Sequence, residues 1–334
     1  MKQITRTRCE KIYPNIYRII LPLAGGKPGP VNTYLFTGDS PALIDTGTRR
    51  TAQILEKALG ELGLTFSDIR QIILTHGHID HYGAARKIVE GSDGKAQVAA
   101  HKEDRTLIEH GLEVPRQQFI KYYRLMGVPA VFQFSLLFMR FIFSSLAENC
   151  RVNRFLSDGE KIMLGDYEAT VIATPGHTRG SISLYFEKEG FLFPGDHLLA
   201  HITPNAFVML EADFDLPRRM SQIEYYDSLR KIEGISPQIA FPAHGDPIRD
   251  IRGTIALYRE QFHLRQKNIM SILADGEFTV YEIGRTLFPD IGGIRLPLEI
   301  FLMVSEVYTH LQVLQGENAV SSYMDKGLLH FKMS

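Results

Sequence analysis

The spacing of apolar and polar positions predicts strands first and then helices that alternate with strands. Short apolar segments near the N-terminus are separated by turns rich in glycine and proline. Apolar residues then recur at helical spacing from Ala52 to Leu62, and a further apolar segment ends at Leu74. The strand-like segments before this helix are residues 16–23, 31–37 and 42–45. This order predicts a layered α/β fold with helices packed on a sheet.

A second series of strands is predicted after residue 150. The last two strands of the series are joined by residues 187–190, which predict a hairpin. A helix with apolar positions from Met220 to Ile232 follows, and then one more strand at 238–241. The segments of the series are residues 154–156, 161–164, 168–173, 181–186 and 190–193.

Residues 103–148 are predicted to be helical and are strongly apolar, and their apolar residues are most concentrated at 131–143. A membrane-spanning helix needs about 20 apolar residues. The run is shorter and contains Arg140, which argues against a transmembrane segment. Four interpretations stay open: a helical lid that lines a substrate pocket, a dimer contact, a membrane-surface element, or an ordinary core helix.

The chain beyond residue 249 is predicted to be a separate unit, so the domains are 1–249, with the helical insertion, and 250–334. Helices are predicted at 251–273 and 298–314. Between them Thr279 and Glu282 form a capping box that opens a helix ending before Pro289. The tail predicts a two-strand wing, with strands at 319–323 and 327–331.

Composition is that of an ordinary globular protein, with 44% hydrophobic and 22% charged residues among 334. A net charge of −1 gives no general attraction for nucleic acid or an anionic membrane. Cys9 and Cys150 lie far apart and suggest neither a disulfide scaffold nor a zinc knuckle. The basic start leads into no long apolar run, so no signal peptide is expected and the predicted location is cytoplasmic.

The candidate chemistry is concentrated directly after the strand that ends at Leu74. His76, His78, Asp80 and His81 stand within six residues. Buried without partners, such groups cost roughly 1–3 kcal/mol each, so a metal site explains them better than a core does. Alternate residues of an extended chain point the same way, which brings His76 and His78 to one side. The structural alternative is a histidine-rich turn that caps a helix, with Asp80 near the N-cap.

Three later strand-to-loop junctions carry the same residue types. His177 stands in Thr-Pro-Gly-His-Thr, Asp196 in Pro-Gly-Asp-His, and His244 in Pro-Ala-His-Gly-Asp. Four separate strand-to-loop junctions with histidine or aspartate are hard to explain by a structural role alone.

These motifs resemble the metallo-β-lactamase-fold hydrolases. The family's His-x-His-x-Asp-His signature stands at residues 76–81, and its later His, Asp and His are matched in order. The resemblance implies an αββα sandwich and two metal ions. It implies that Asp196 bridges the metals and that the Asp45 carboxylate contacts the metal ligands without binding a metal itself. The first metal would be held by His76, His78 and His177, and the second by Asp80, His81 and His244.

The resemblance and the donor types imply a dinuclear hydrolase. Imidazole and carboxylate ligands without thiolate suit two zinc ions and tolerate iron or manganese. Two close cations can share a hydroxide that attacks an ester, thioester, amide or phosphodiester, and Asp80 could orient it. His197 and His201 are candidates for protonating the leaving group.

The leading hypothesis is hydrolysis of a small acyl substrate with an apolar part, a thioester or lactone, with residues 103–148 shaping the pocket. The glyoxalase-II thioesterases are the natural comparison, although no local pattern identifies a glutathione site. A flavodiiron-type oxidoreductase would carry Glu where His78 stands and would need a flavodoxin-like domain. A non-catalytic binding protein on this fold should have lost ligands, and none is missing.

The helices and wing of residues 250–334 resemble the winged-helix appendage of some members of this family, including an endoribonuclease-like subgroup. The alternative function is therefore a metal-dependent nuclease. The charge of the C-terminal unit tests this alternative, because proteins bind nucleic acid through basic side chains. Residues 251–334 contain eight Lys and Arg and nine Asp and Glu. This balance argues against nucleic acid as a partner and favours packing or homodimerisation by the C-terminal unit.

Overall fold

A computed structural model of the chain describes residues 8–23, 28–111, 115–133, 135, 145–208, 216, 219–292 and 296–334. Most of the apolar run predicted at 131–143 therefore lies outside the described residues. The chain forms two compact units. The first contains residues 1–112, 143–204 and 228–254, and the second contains 113–142, 205–227 and 255–334. The predicted division after residue 249 placed residues 113–142 and 205–227 in the first domain.

The first unit contains a seven-stranded sheet whose strands lie side by side in chain order. Neighbouring strands are antiparallel from β1 to β4 and parallel from β4 to β7. The strands are β1 (Arg8–Tyr13), β2 (Ile16–Leu21), β3 (Val31–Phe36), β4 (Ala42–Ile44), β5 (Gln71–Ile73), β6 (Gln97–His101) and β7 (Arg154–Leu156). Strand β1 was not predicted, because its charged residues interrupt the apolar pattern.

The second sheet of this unit has five strands in the order β12-β11-β10-β9-β8. They are β8 (Lys161–Leu164), β9 (Tyr167–Ala173), β10 (Ile182–Phe186), β11 (Phe191–Phe193) and β12 (Ile239–Ala240). Strands β10 and β11 pair antiparallel, which confirms the hairpin predicted at residues 187–190. Strand β12 returns parallel to β11 after a long connection.

The described helices include those that connect the parallel strands of the first sheet. They are α1 (Ala52–Glu61), α2 (Ile79–Tyr82), α3 (Ala85–Gly91), α4 (Arg105–His110), α5 (Arg116–Leu125), α6 (Ser221–Ile235), α7 (Ile251–Leu273), α8 (Val280–Leu287) and α9 (Leu296–Gly316). The segment after the signature residues forms two short helices, α2 and α3, and Asp80 and His81 lie inside the first of them. None of the described helices is long and apolar enough to span a membrane.

Two apolar layers hold the first unit together. Between the sheets, Phe36 stacks on Phe186 with ring centroids 5.2 Å apart, and Phe193 packs edge-on against both rings. The outer face of the first sheet packs on α1 and α3 through residues such as Leu55 and Ile88. On the second sheet, Tyr185 of β10 donates a hydrogen bond to the carbonyl of Ile235 in α6 (3.4 Å). The predicted αββα sandwich is confirmed.

The second unit contains α8, α9 and most of α7, together with a small antiparallel sheet. Its strands are β13 (Phe278–Thr279), β14 (Val320–Asp325) and β15 (Leu328–Met333), in the order β13-β15-β14. Strands β14 and β15 form the predicted two-strand wing, and β13 adds a short third strand. The capping box of α8 is confirmed, since Thr279 Oγ1 accepts from the Glu282 amide (3.3 Å) and Glu282 accepts from the Thr279 amide (2.8 Å). The winged-helix assignment stays a prediction.

Candidate metal centre

The signature residues are carried by the segment between β5 and α2. The Thr75 carbonyl accepts a hydrogen bond from the Ile182 amide (2.8 Å), which ties this segment to the second sheet. His78 has an extended backbone (φ −81°, ψ 149°) and is the N-cap of α2, whereas Asp80 and His81 have helical backbones. This change of conformation sends His76 and His78 towards one group of side chains and Asp80 and His81 towards another.

The first group comprises His76, His78, His177 and Asp196, whose potential ligand atoms lie within 4.8 Å of one another. Nδ1 of His78 lies 3.0 Å from Nε2 of His76 and 3.2 Å from Nε2 of His177. His76 and His78 are close neighbours in the sequence, while His177 comes from the loop after β9. The predicted set of three imidazoles therefore meets at one point.

The second group comprises Asp80, His81 and His244, again within 4.8 Å of one another. Nε2 of His244 lies 3.6 Å from Oδ2 of Asp80, and Nε2 of His81 lies 3.8 Å from Oδ1 of Asp80. His81 and His244 are fully buried, and Asp80 retains 15% side-chain exposure. Among these three residues, Asp80 is the one open to an entering molecule.

Asp196 lies between the two groups and faces both. Its Oδ2 lies 3.6 Å from Nε2 of His177 and 3.6 Å from Nε2 of His81. Its Oδ1 lies 3.5 Å from Nε2 of His244. A single carboxylate thus faces imidazoles of both groups, which is the arrangement required of a bridging ligand.

Buried acceptors fix the far side of the imidazole rings. Oδ2 of Asp45 lies 2.8 Å from Nδ1 of His81 and accepts a hydrogen bond from Thr75 Oγ1 at 2.8 Å. Thr75 Oγ1 in turn lies 3.1 Å from Nδ1 of His76. Nδ1 of His244 lies within 3.0–3.1 Å of the carbonyls of Gly29 and Pro30. Such partners direct Nε2 of each ring towards the centre and set its tautomer.

Burial and neighbouring histidines keep the imidazoles of His76 and His78 neutral. Burial, reinforced by His81, lowers the pKa of His76 well below its usual value. Burial and neighbouring His177 lower the pKa of His78 to about 3. The two rings are therefore unprotonated near neutral pH, the state that a metal ligand requires.

The carboxylates are ionised and draw positive charge towards the second group. Burial alone would raise the pKa of Asp196, but His244 and His81 outweigh it and hold that pKa well below the usual range. Burial alone would lower the pKa of His81, but Asp196, Asp45 and Asp80 outweigh it and raise that pKa well above its usual value. The carboxylates around the second group thus favour positive charge there, either as a proton on His81 or as a bound cation.

The donor atoms provide a test of whether metal ions fit. Within the described part of the chain, His81 Nε2, His244 Nε2 and Asp196 Oδ1 are buried and have no hydrogen-bond partner. Leaving such atoms unsatisfied costs roughly 1–3 kcal/mol each. All three point into the centre, and imidazole nitrogen and carboxylate oxygen are zinc ligands. The residues therefore fit metal ions.

The two proposed leaving-group acids lie in different settings. His197 is buried, and burial together with His177 lowers its pKa to about 3, so the ring carries no extra proton near neutral pH. His201 is exposed, and its Nε2 lies 2.7 Å from the Pro28 carbonyl, to which it donates. Its assignment as an acid stays a prediction.

Two buried residues that support the centre were missed in the sequence. Asp104, at the end of the 3₁₀ turn after β6, binds the two loops that carry the histidines of the first group. Asp104 also follows a strand end, as the predicted ligands do, but it lies at the start of the segment predicted to be the helical insertion. Asn32, in β3, donates to the carbonyls of Pro242 (2.9 Å) and Gly245 (2.8 Å) on either side of His244. No local pattern marks Asn32.

The fold and the centre together define a hydrolase of the metal-binding αββα class. The sequence model of the metallo-beta-lactamase superfamily matches residues 26–244. The probable metallo-hydrolase YqjP of Bacillus subtilis is 30% identical over 310 residues, which cover 91% of this chain and 93% of that protein. The chain belongs to the metallo-beta-lactamase superfamily, which confirms the resemblance found in the sequence.

Two further comparisons agree with this assignment. The crystal structure of the metallo-beta-lactamase family protein TTHA1429 from Thermus thermophilus superposes with a TM-score of 0.80 at 26% identity, covering 97% of this chain and 100% of that one. The thioesterase pkgB of Emericella nidulans is 27% identical over 263 residues, which cover 76% of this chain and 59% of that protein.

Proposed function

We propose that this protein is a dinuclear metallohydrolase that cleaves a small acyl substrate, a thioester or a lactone. The observation that carries the proposal is the position of Asp196, whose two oxygens face imidazoles of both groups at 3.5–3.6 Å. His76, His78 and His177 would hold one metal, and Asp80, His81 and His244 the other. Asp196 would be shared. Because the donor set contains no thiolate, zinc is the metal expected first.

When bound, such metals lower the pKa of water towards about 7 and polarise a scissile carbonyl. The chain supplies the orientation of the reacting groups. Asp80 keeps a lowered pKa, because His81 and His244 outweigh its burial, so it is an acceptor for the attacking water. It is also the partly exposed member of the second group. Asp45 and the Gly29 and Pro30 carbonyls keep the rings of His81 and His244 from turning.

The acyl substrate class has separate support. The relative pkgB is named a thioesterase. The near balance of eight Lys and Arg against nine Asp and Glu beyond residue 250 argues against a nucleic-acid substrate. The apolar run at 131–143 would suit a substrate with an apolar acyl part. Residues 250–334 would be the predicted winged-helix-like appendage, used for packing or homodimerisation, in a cytoplasmic protein.

The test is a hydrolysis screen on protein whose metal content has been measured by elemental analysis. Acyl thioesters and lactones of graded chain length are compared with a phosphodiester and single-stranded RNA, each with a chelated control. Chelator-sensitive turnover of acyl substrates that rises with chain length is the expected result. Turnover confined to RNA or the phosphodiester would replace the acyl hydrolase with a nuclease. Protein that binds no metal would overturn the dinuclear mechanism itself.

A further inference from the structure

Asp104 is a fully buried carboxylate with three hydrogen-bond donors around it. The Gly77 amide donates to Oδ2 at 2.7 Å, and the Thr178 hydroxyl donates to the same oxygen at 2.5 Å. The Gly180 amide donates to Oδ1 at 2.8 Å. Since a buried carboxylate is costly unless it is fully bonded, these three donors account for its presence.

The donors belong to the two loops that carry the histidines of the first group. Gly77 lies between His76 and His78, and Thr178 directly follows His177. One side chain on a third loop therefore fixes the distance between the His76–His78 pair and His177. Another bond extends this arrangement, because Ser181 Oγ accepts from the Thr178 amide at 3.0 Å.

The two glycines are needed for this close approach. A Cβ on Gly180 would lie 2.7 Å from both Cγ and the backbone nitrogen of Asp104. A Cβ on Gly77 would lie 2.8 Å from Cβ of Leu107 and 3.3 Å from Cβ of Asp104. The shortest contact at each position is closer than a real Cβ tolerates. Gly180 therefore allows the approach to Asp104 itself, and Gly77 allows the approach to Leu107 beside it.

The second group has its own supports. His81 is held by Asp45, and His244 by the carbonyls of Gly29 and Pro30. The hydrogen bonds that the Asp104 carboxylate accepts from the described residues come from Gly77, Thr178 and Gly180. A change at Asp104 should therefore act on one group before the other.

We propose that Asp104 is a positioning residue that sets the metal affinity of the first group, formed by His76, His78, His177 and Asp196, and leaves that of the second group largely unchanged. This inference rests on the proposed dinuclear function. Asp104 would act by fixing the geometry of the two loops, since it is not itself a metal ligand in the proposed sets.

The experiment compares Asp104→Asn with the wild-type protein, both loaded with zinc. Asparagine keeps the volume but turns one oxygen into an NH₂ group, which faces a backbone N–H and accepts nothing. Zinc content is measured by elemental analysis after dialysis against buffers of graded chelator strength. One of the two zinc ions should be lost at a chelator strength roughly 10- to 100-fold weaker than in the wild type. The second ion should be retained as in the wild type.

The matched control is Glu103→Gln, which removes one negative charge from the exposed neighbouring position and should release zinc as the wild type does. A second variant, Thr178→Val, removes one of the three donors without touching the carboxylate. Thr178→Val should also lose this ion at a weaker chelator strength than the wild type, but the difference should be smaller than for Asp104→Asn. This variant keeps the proposal testable if Asp104→Asn does not fold.

The outcomes separate this inference from the proposed function. Wild-type protein that binds no zinc would overturn the proposed function and this inference with it. Two ions in the wild type, with unchanged release from both variants, would overturn this inference alone. Equal weakening of both ions would also overturn it, because Asp104 would then support the fold as a whole.

Discussion

Nδ1 of His81 lies 2.8 Å from Oδ2 of Asp45, and both side chains are at most 1% exposed. Asp45 reaches this position from the end of β4 with a left-handed backbone (φ 58°), and its Oδ1 also accepts from the Thr75 amide (2.8 Å). Because the carboxylate is an acceptor, it keeps a proton on Nδ1 of His81, and Nε2 of the ring faces Asp80 and Asp196. The Asp45 carboxylate thus determines which nitrogen is available to a metal.

Replacing Asp45 with Asn should weaken the second group. Asparagine tolerates the left-handed backbone, so the loop is kept. Its NH₂ group, however, would donate to Nδ1 of His81 and move the ring proton to Nε2. We expect zinc affinity at one of the two sites to fall roughly 10- to 100-fold, measured by competition with a chromophoric chelator. Asp39→Asn, at an exposed position, is the control and should bind zinc as the wild type does.

Removal of the shared carboxylate by Asp196→Ala should abolish metal binding and hydrolysis together. The side chain faces the centre and the aromatic core between the sheets is left intact, so far-UV circular dichroism should stay close to that of the wild type. Elemental analysis measures the metal. Two ions retained per chain in this variant would contradict the bridging role. Asp275→Ala, in an exposed part of the second unit, should lose neither metal nor activity.

Asn32 should matter both for stability and for the placement of His244. Its side chain donates to two carbonyls of the loop that carries His244, and it is 2% exposed. Asn32→Ala leaves the Gly245 carbonyl short of a donor, so we expect the free energy of unfolding to fall by roughly 1–3 kcal/mol. Urea denaturation of chelated protein measures this loss without a contribution from bound metal.

The same variant should release one zinc ion more easily than the wild type. Asn268→Ala is the matched control, since Asn268 is exposed on helix α7 and should change the unfolding free energy by less than about 0.5 kcal/mol. Equal stability of Asn32→Ala and the control would show that the two hydrogen bonds contribute nothing.

His310 in the second unit should make stability depend on pH. The ring is buried beside Phe262, and burial, together with the charge of Arg265, lowers its pKa to about 3. The unfolded chain binds a proton near pH 6.5 and the folded chain does not until about pH 3. Stability is therefore fully present above about pH 6.5 and falls as the pH drops towards about 3, by up to about 1.4 kcal/mol per pH unit.

The measurement is the free energy of unfolding of chelated protein at about pH 7.5 and about pH 5, on either side of the usual histidine pKa. His310→Phe should lose less stability between these two values than the wild type does. The exposed His263, replaced by Gln, is the control and should leave the pH dependence unchanged. If the phenylalanine variant keeps the wild-type pH dependence, the buried histidine is not its source.

Local patterns in the sequence were sufficient to predict those features that depend on residues close together along the chain. The bounds of α7 and the capping box at Thr279 were predicted correctly because helical periodicity and caps are short-range properties. The hairpin between β10 and β11 is of the same kind. The residue types of the centre could also be read, since histidine and aspartate at strand ends are poorly explained by a core.

Strands β1 and β13 were missed for the opposite reason. Their residues are charged or too few to give a periodic signal, and they are strands because of the partners that the sheets provide. Pairing with a neighbour elsewhere in the chain fixes their backbones, and such pairing cannot be inferred from propensity.

The sequence by itself determined the αββα class, the superfamily and the seven candidate ligands, because each of these is carried by short motifs in a fixed order. Only the tertiary structure decided that Asp196 faces both groups and that Asp104 binds loops 27 and 74 positions away. These relations follow from the order of strands in two sheets and from the close approach that two glycines allow. They are properties of distance in space, which spacing along the chain does not encode.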